Sequence, residues 1–244
     1  LCMAVSGKCY LSLQTYGASA NRGACYQLCR RGYEVTDLET GTKLNIDNKY
    51  IMSPKDLCTI EFMDKIIDAG VKVFKIEGRA RSAEYVKKTA ECYRRAADAV
   101  CEGRYTPELA ASLKEELSEV FNRGFWDGYY QGARLGEWSD VYGSHATCKK
   151  IYCGKITNWF DRISVAEVLV ESEALRKGDD ILIIGETTGV IEQNVSEIRV
   201  DLKPTEEAVK GTLCSIPVIF PDDIRTPGGK KIRRGDKVFI WSEV

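Results

Sequence analysis

The residues of this sequence that are best suited to chemistry are its cysteines. The chain of 244 residues contains ten, and five lie near its beginning: Cys2, Cys9, Cys25, Cys29 and Cys58. Disulfide scaffolds are usually shorter and loop-rich, whereas this chain has long helical patterns. The clustering therefore indicates a metal or iron–sulfur site in a reducing compartment. We expect buried free thiols at the other five: Cys92, Cys101, Cys148, Cys153 and Cys214.

The spacing of the early cysteines limits the kind of metal site. Six residues separate Cys2 from Cys9, which is wider than a structural zinc knuckle, although Cys25 and Cys29 fit one loosely. Four thiolates can hold an iron–sulfur cubane without histidine, and His145 is the single histidine of the chain. The alternative is that all these cysteines are reduced structural thiols.

Composition excludes several other classes of function. One histidine cannot build an HExxH zinc site, and His145 lies in a polar connector with no nucleophile motif nearby. The chain has 35 basic and 36 acidic residues, so no global basic field marks a nucleic-acid binder. No apolar run reaches the roughly 18 residues of a membrane span, and we expect a cytoplasmic protein without a membrane partner.

The first half of the chain predicts helices around a strand. Ser53 as N-cap, Pro54 as first residue and Gly70 as stop predict one helix. An apolar run predicts a buried strand at Val71–Ile76, and Ser82 caps a long second helix. Helix, strand, polar loop and helix form one unit of an α/β architecture. The predicted buried stripes of the two helices are Leu57, Ile60, Met63 and Ile67, then Val86, Ala90, Tyr93, Ala97 and Val100.

Three further elements are predicted in this half. Residues 33–46 alternate around a Glu-Thr-Gly-Thr turn and predict a β-hairpin. A short helical turn is expected near Lys8–Leu13, and a third helix begins at Pro107 with Thr106 as its cap. The Gly- and aromatic-rich RGFWDGYY stretch is expected to pack as an aromatic plug against the helices.

From Lys149 onward the chain predicts β-strands. Leu175–Ile183 and Ile232–Ile240 resemble each other, because each places a basic-Gly-Asp turn before an apolar strand. This spacing predicts a small closed β-barrel, since a solenoid needs at least about three repeats. We place the domains at residues 1–146 and 147–244. The basic turns of the second domain are equally suited to phosphate binding and to ordinary solvation.

Several motifs together resemble one known family. They are the opening LCMAVSGKCYLS, ANRGACYQLCR (Ala20–Arg30), SPKDLC (Ser53–Cys58), KIEGRARSAEYV (Lys75–Val86) and NRGFWDGYYQG (Asn122–Gly132). The chain is identified by them as a member of the collagenase-like peptidase U-32 family. The start inside the family signature and the missing initiator Met predict that the chain is a C-terminal part of a longer protein.

The resemblance implies a fold and several activities. It implies that residues 1–146 end a TIM-barrel-like catalytic domain and that a small barrel like those of translation factors follows. Members of the family carry a four-iron four-sulfur cluster on four cysteines. Some are oxygen-independent hydroxylases of tRNA wobble uridine, of ribosomal RNA or of a quinone precursor, and RNA-modifying members use prephenate. Others are named peptidases or collagenases.

We predict Cys2, Cys9, Cys25 and Cys58 as the cluster ligands. The assignment of Cys58 follows from the match of SPKDLC to cluster-bearing members. It also follows from the expected position of Cys58 near the positive end of a helix dipole, which favours a thiolate. Cys29 is the alternative fourth ligand.

The resemblance also points to two catalytic residues, Glu77 and Arg79, and to substrate-binding residues. If Val71–Ile76 is a barrel strand, Glu77 and Arg79 lie at its C-terminal end, where such barrels keep their catalytic groups. The planar fork of Arg79 suits a carboxylate, and prephenate has two. Arg81, Asn21 and Arg22 are further substrate-binding candidates. The alternative for Glu77 and Arg79 is a structural ion pair.

Three functions remain open at this stage. The first is an iron–sulfur RNA hydroxylase that uses prephenate and acts most readily on tRNA. The second is a U-32 peptidase, for which this sequence shows no nucleophile. The third is a non-catalytic RNA-binding role for this chain alone, which we expect to be catalytically inactive without the preceding barrel strands.

Overall fold

The computed structural model describes residues 10–18, 24–44, 53–78, 81–133, 136–140, 143–220 and 232–244. The chain divides into two compact units. Unit 1 comprises Leu1–Arg81 and Lys88–Ala146, and unit 2 comprises Ser82–Lys87 and Thr147–Val244. Helices predominate in unit 1 and a large antiparallel sheet forms unit 2. The assignment of residues 1–146 to a barrel-like catalytic domain stays a prediction.

Four α-helices and two short 3-10 helices are described. The α-helices are α1 (Tyr10–Tyr16), α2 (Met63–Asp68), α3 (Ala83–Cys101) and α4 (Pro107–Ser118), and the 3-10 helices are Leu28–Arg30 and Ile60–Phe62. The start of α4 is confirmed, because the Thr106 side chain accepts a hydrogen bond from the Leu109 N–H at 3.2 Å. The predicted hairpin is confirmed as β1 (Val35–Thr36) and β2 (Lys43–Leu44).

The helix predicted to begin at Pro54 is wrong for its first half. Residues Asp56–Leu57 form β3, which pairs in parallel with β4, Phe125–Trp126. The Asp56 N–H bonds to the Gly124 carbonyl at 2.9 Å, and the Cys58 N–H bonds to the Trp126 carbonyl at 2.8 Å. These long-range hydrogen bonds outweigh the local helix-start signal. Gly70, with φ +89°, does end the helical segment as predicted.

The buried strand predicted at Val71–Ile76 is also wrong. Residues 71–78 have no helix or strand assignment, and the side chains of Val73 and Ile76 are 83% and 41% exposed. An apolar run becomes a strand only where a neighbouring backbone supplies the ladder, and no strand of the described residues pairs with it. The described residues therefore show no parallel barrel, and the TIM-barrel assignment stays a proposal.

The core of unit 1 lies between the helices and the segment that follows β3. Its buried members are Cys58, Ile60, Met63, Cys92, Ala96, Leu113 and Leu117. The predicted stripe of α3 is shifted, because Val86 and Ala90 are exposed while Cys92 and Ala96 are buried. Leu57 is likewise exposed, since it lies in β3 and not on a helix. Trp126 is the buried aromatic of the predicted plug, whereas Tyr129 and Tyr130 are exposed.

Unit 2 contains the remaining strands. They are β5 (Cys148–Phe160), β6 (Val165–Val170), β7 (Leu175–Arg176), β8 (Asp180–Gly185), β9 (Gly189–Asn194), β10 (Ile198–Val200), β11 (Lys203–Thr205), β12 (Glu207–Ala208), β13 (Leu213–Pro217) and β14 (Lys237–Glu243). Eight of them form one antiparallel sheet in the order β11-β10-β13-β6-β5-β14-β8-β9, and β7 pairs separately with β12.

The inward faces of the large sheet enclose the core of unit 2. The Gln193 side chain of β9 donates to the Pro217 carbonyl at 2.9 Å and accepts from the Ile219 N–H at 3.0 Å. Side-chain hydrogen bonds thus link β9 to the end of β13, although no ladder between these two strands is described. Closure of the sheet into a barrel stays a prediction.

The two similar segments of unit 2 adopt the same turn. The Asp179 carboxylate accepts from the Arg176 N–H at 2.7 Å, and the Asp236 carboxylate accepts from the Arg233 N–H at 2.8 Å. The turn glycines have φ values of +92° and +95°. The strands that follow, β8 and β14, pair with each other.

No helix among the described residues is long and apolar enough to cross a membrane.

Candidate anion-binding cleft and cysteine site

A cleft of about 480 Å³ in unit 1 is lined by several arginines. Its lining residues are Cys25, Tyr26, Gln27, Arg30, Arg31, Ser53, Arg81, Phe121, Arg123 and Gly143. Four of these ten side chains are guanidinium groups and none is a carboxylate. The cleft therefore has a positive lining, which favours an anionic ligand.

Asp56 of β3 holds two of these arginines in place. An Arg81 guanidinium nitrogen lies 3.2 Å from Asp56 Oδ2, and Arg123 Nη1 lies 3.6 Å from Oδ1. The backbone N–H of Arg123 also donates to Asp56 Oδ2 at 3.1 Å. A single carboxylate thus orients two guanidinium groups from distant parts of the chain.

Arg123 is the most buried arginine of the cleft, with 8% of its surface exposed. Burial, followed by the positive charges of Arg30 and Arg81, lowers the pKa of Arg123 from its usual range. The guanidinium carbons of Arg81 and Arg123 lie 4.0 and 5.0 Å from the centre of the Phe121 ring. Neighbouring cations in a partly desolvated site are stabilised when an anion binds between them.

Three further hydrogen bonds fix the wall of the cleft. Arg123 Nη2 donates to Gln27 Oε1 at 3.0 Å, and Arg30 Nη1 donates to Ser53 Oγ at 3.2 Å and to the Pro54 carbonyl at 2.5 Å. Gln27 has φ 50° and ψ 39°, a left-handed conformation that costs a residue with a side chain about 1 kcal/mol. The surrounding contacts stabilise this strained residue at the edge of the cleft.

Four of the sequence motifs meet around Asp56. Arg30 lies in Ala20–Arg30, Asp56 in Ser53–Cys58, Arg81 in Lys75–Val86 and Arg123 in Asn122–Gly132. Hydrogen bonds or ion pairs connect these four motifs as described above. The quoted motifs are therefore parts of one site, although they span about a hundred residues of sequence.

The cleft has the properties of a small-molecule site. A volume of a few hundred Å³ is typical of such sites, and planar guanidinium forks bind carboxylates or phosphates through paired hydrogen bonds. The described lining contains no arrangement of nucleophile, histidine and carboxylate. Its chemistry is therefore the binding and orientation of an anion.

Of the predicted cluster ligands, the structure describes Cys25 and Cys58. Cys25 is exposed and lines the arginine cleft, whereas Cys58 is buried in the core of unit 1. Cys2 and Cys9 lie outside the described residues. Among the described residues, no three side chains of Cys, His, Asp or Glu converge on one point. The four-cysteine site thus stays a prediction.

Cys58 lies just before the helical segment that begins at Ile60, so its expected place near the positive end of a helix dipole is compatible with the structure. Burial nevertheless raises the pKa of Cys58. Two hydrogen-bond donors oppose this effect, namely the Ile60 N–H and the Tyr93 hydroxyl group, which lies 3.8 Å from Cys58 Sγ. Donors aimed at a cysteine sulfur suit an iron–sulfur ligand. The donor at the Cys58 sulfur therefore fits a cluster ligand, and Cys25 offers an exposed thiol.

Cys29, the alternative fourth ligand, has a different environment. It is half-buried, and its charge acts on the Arg123 guanidinium. It therefore belongs to the neighbourhood of the arginine cleft.

The predicted substrate-binding residues divide into three groups. Arg81 lines the cleft, and its role as a substrate-binding residue stays a prediction. Glu77 lies in the exposed segment after Gly70, 3.5 Å from the Lys75 ammonium group, and does not line the cleft. Arg79, Asn21 and Arg22 lie outside the described residues.

The sequence analysis missed the arginines at the centre of the cleft. Arg30, Arg123 and Asp56 lie in the quoted motifs, but the sequence assigned no role to them. Their membership in those motifs was the available signal. The sequence does not show that Asp56 and Arg123 are close in space, because 67 positions separate them along the chain.

Comparison with known proteins places these motifs in one family. A sequence profile described as Peptidase family U32 matches residues 1–140. A protein named collagenase from Porphyromonas gingivalis is 56% identical over 243 residues, which cover 100% of this chain and 56% of that protein. An uncharacterized protease of Methanocaldococcus jannaschii is 36% identical and is covered to 58%.

A third relative carries a different name. The tRNA hydroxylation protein P1 of Bacillus subtilis is 31% identical over 192 residues, which cover 76% of this chain and 44% of that protein. The chain therefore spans about half the length of the curated relatives it matches. The profile match and the convergence of the motifs on one cleft show that this chain belongs to peptidase family U32.

Proposed function

We propose that the protein is an oxygen-independent iron–sulfur RNA hydroxylase that modifies the wobble uridine of tRNA with prephenate as co-substrate. The observation that carries this proposal is the arginine cleft with Cys25 in its wall. A cleft whose lining is cationic suits a small dicarboxylate better than a neutral peptide. The name of the B. subtilis relative connects a protein of similar sequence with tRNA hydroxylation.

Arg81 and Arg123 are the residues that would bind the co-substrate. Their guanidinium groups are oriented by Asp56 and supported by Phe121, so little rotational freedom is lost when a carboxylate binds. Arg30, which is tied to the backbone at Pro54, supplies a further positive charge. These residues bind and orient the anion.

Cys2, Cys9, Cys25 and Cys58 would hold a four-iron four-sulfur cluster. Such a cluster supplies one-electron transfer when it is bound. Glu77 and Arg79 stay proposed catalytic residues, and Asn21 and Arg22 proposed substrate-binding residues. We place this chain in the last part of a TIM-barrel-like catalytic domain followed by a small barrel, in a cytoplasmic protein.

RNA is the proposed macromolecular partner, and unit 2 is the domain proposed to hold it. The described basic turns of unit 2 give limited support, because Arg176 pairs with Glu207 and Lys177 with Glu206. Lys230 and Lys231, at the second turn, lie outside the described residues. The positive lining of the arginine cleft therefore supports the proposal more strongly than the surface of unit 2.

Nucleoside analysis of tRNA tests this proposal. In cells that lack the gene, mass spectrometry of digested tRNA should show loss of the hydroxylated wobble uridine. The wild-type gene and the matched control Arg176→Gln should restore it, whereas Arg123→Gln should not. An unchanged nucleoside profile in the deletion strain would refute tRNA as the substrate.

A collagenase-like peptidase is the second candidate, because the P. gingivalis relative with 56% identity carries that name. The single histidine gives this candidate little support, since His145 lies 3.1 Å from Asp140 on an exposed connector. Hydrolysis of a defined collagen peptide by pure, iron-free protein would support the peptidase. Absence of hydrolysis, together with iron in the anaerobically purified protein, would favour the hydroxylase.

A further inference from the structure

Two tyrosines hold the turn that carries Cys58. This turn, which we name the Cys58 turn, comprises residues 58–60. The Tyr105 hydroxyl group donates to the Ile60 carbonyl at 2.5 Å. The Tyr93 hydroxyl oxygen accepts from the Thr59 N–H at 2.9 Å, and the same hydroxyl group donates to Cys58 Sγ at 3.8 Å. Both the backbone of the turn and its sulfur are therefore tied to α3 and the loop after it.

The hydrogen bonds of Tyr93 have a defined direction. Its oxygen also accepts from the Thr59 side-chain hydroxyl at 3.3 Å. The Thr59 hydroxyl group has one hydrogen and a second acceptor, Met63 Sδ at 3.9 Å, so the Thr59 N–H is the fixed donor to the Tyr93 oxygen. Among the described contacts, Cys58 Sγ is the acceptor of the phenolic hydrogen. The Cys58 sulfur is thus the acceptor of the Tyr93 hydrogen bond, and a thiolate or a metal-bound sulfur can accept such a bond.

Cys92 provides an internal contrast within the same apolar cluster. Its thiol donates to Glu116 Oε2, with the sulfur 3.9 Å from that oxygen. A thiol that donates its proton to a carboxylate is kept in the protonated form. Burial alone therefore does not decide which hydrogen bonds a cysteine makes. Cys92 is buried among the same side chains, but its thiol is a hydrogen-bond donor, whereas the Cys58 sulfur is an acceptor.

We propose that Tyr93 is a positioning residue for Cys58, whose sulfur it holds as a hydrogen-bond acceptor ready to bind a soft metal centre. The identity of that centre, the iron–sulfur cluster, rests on the proposed function. The hydrogen bond from Tyr93 does not rest on it. Tyr93 acts through Cys58, and nothing requires its hydroxyl group to touch the substrate.

Redox titration of the full-length protein, purified anaerobically, tests this inference. The variant Tyr93→Phe should bind iron and show a more negative reduction potential, because hydrogen bonds to ligand sulfurs stabilise the reduced cluster. The matched control is Tyr105→Phe, which loses a hydrogen bond to the same turn but none to the sulfur. It should keep the wild-type potential.

Two outcomes would overturn the proposal. One is an unchanged potential in Tyr93→Phe, and the other is an equal shift in Tyr105→Phe, which would indicate a general loosening of the turn. If Tyr93→Phe does not fold, Thr59→Val takes its place, because it removes the hydroxyl group that orients Tyr93. A smaller negative shift is expected for that variant, and no shift would contradict the proposal.

A second measurement separates this inference from the proposed function. If the wild-type protein contains no iron, the cluster proposal fails. The Raman S–H stretching band of Cys58 then tests whether Tyr93 donates a hydrogen bond to the Cys58 sulfur. Comparison with Cys58→Ser identifies the band in iron-free protein. A band that moves in Tyr93→Phe and not in Tyr105→Phe supports the inference. A band that moves in neither variant overturns it.

Discussion

The two units use their buried cysteines and charged groups differently. In unit 2, Cys153 and Cys214 lie in the sheet core, and burial raises their pKa values to about 12 and about 11. No hydrogen bond to either sulfur occurs among the described residues. In unit 1, the Tyr93 hydroxyl group donates to the sulfur of Cys58. Buried thiols of the two units thus differ in the hydrogen bonds that their sulfurs accept.

The charged groups show the same contrast. Asp236 of unit 2 is buried and accepts hydrogen bonds from the Thr188 hydroxyl at 2.6 Å and from the Arg233 N–H at 2.8 Å. The second bond closes the turn on itself, and the first links it to the turn between β8 and β9. Asp56 of unit 1 instead orients Arg81 and Arg123 at the edge of a cleft. The carboxylate of unit 2 therefore joins two turns, whereas that of unit 1 positions two guanidinium groups beside a cleft.

The largest effect is expected for removal of the predicted cluster ligand. Cys58→Ala should abolish most iron binding in the anaerobically purified full-length protein, because a cubane site depends on its four thiolates. Cys153→Ala should leave the iron content unchanged, since that thiol lies in the core of unit 2. Iron and sulfide analysis measures both.

Full retention of iron in Cys58→Ala would show that Cys58, like Cys153, is not a cluster ligand. The alternative ligand Cys29 would then be tested by the same analysis of Cys29→Ala.

The next effect concerns the arginine cleft. Arg123→Gln should weaken prephenate binding about 10- to 100-fold, because a charge-assisted hydrogen bond contributes about 1.5–3 kcal/mol. The matched control Arg176→Gln removes an arginine whose partner is Glu207 and should leave the affinity unchanged. Isothermal titration calorimetry measures both variants.

An equal loss in the two arginine variants would show that only the net charge matters. Arg123→Lys refines the test, since it keeps the charge but loses the planar fork, and an intermediate affinity is expected.

A smaller effect is expected when the equivalent turns of unit 2 are altered. Asp236→Asn should lower the free energy of unfolding by about 1.5–3 kcal/mol, because a buried charged acceptor with two donors is lost. Asp179→Asn should cost about 0.5–1 kcal/mol, since Asp179 is less buried and, among the described contacts, its carboxylate accepts only the Arg176 N–H. Urea denaturation measures both, and ligand affinity should not change.

Equal costs for the two aspartates would contradict this account, because Thr188 donates to Asp236 only.

The last effect appears only in alkali and concerns the buried thiols of unit 2. The folded-state pKa values of Cys153 and Cys214 lie above the unfolded value of 9.0. Their contribution to stability is therefore complete below pH 9 and is lost as pH rises toward 11 and 12. The free energy of unfolding should fall by at most about 1.4 kcal/mol per pH unit for each thiol.

The double variant Cys153→Ala, Cys214→Ala should show a shallower decline between pH 9 and 11 than the wild type. Identical pH profiles would contradict the assigned burial effect.

Much of unit 2 could be predicted from local sequence. The repeated basic-Gly-Asp turns contain their own hydrogen-bond acceptor, so Asp179 and Asp236 produce the same turn wherever the flanking strands pair. The helix start at Thr106 and Pro107 was predictable for the same reason, since cap and helix are adjacent in sequence.

Unit 1 was less predictable because its elements depend on distant partners. The helix-start signal at Ser53 and Pro54 was overruled by the pairing of Asp56–Leu57 with Phe125–Trp126. The apolar run at Val71–Ile76 has the composition of a strand but no pairing strand among the described residues. Local propensity did not reveal either outcome, because hydrogen bonds to remote backbone decide both.

The sequence by itself determined the family, the clustering of cysteines and the motifs that carry the site. Only the tertiary structure decided that Arg30, Arg81 and Arg123 meet around Asp56, and that Tyr93 donates to Cys58. The physical reason is that residue types and short spacings specify local chemistry. The electrostatic field and the hydrogen bonds at a site depend on side chains that the fold brings together from positions far apart in the chain.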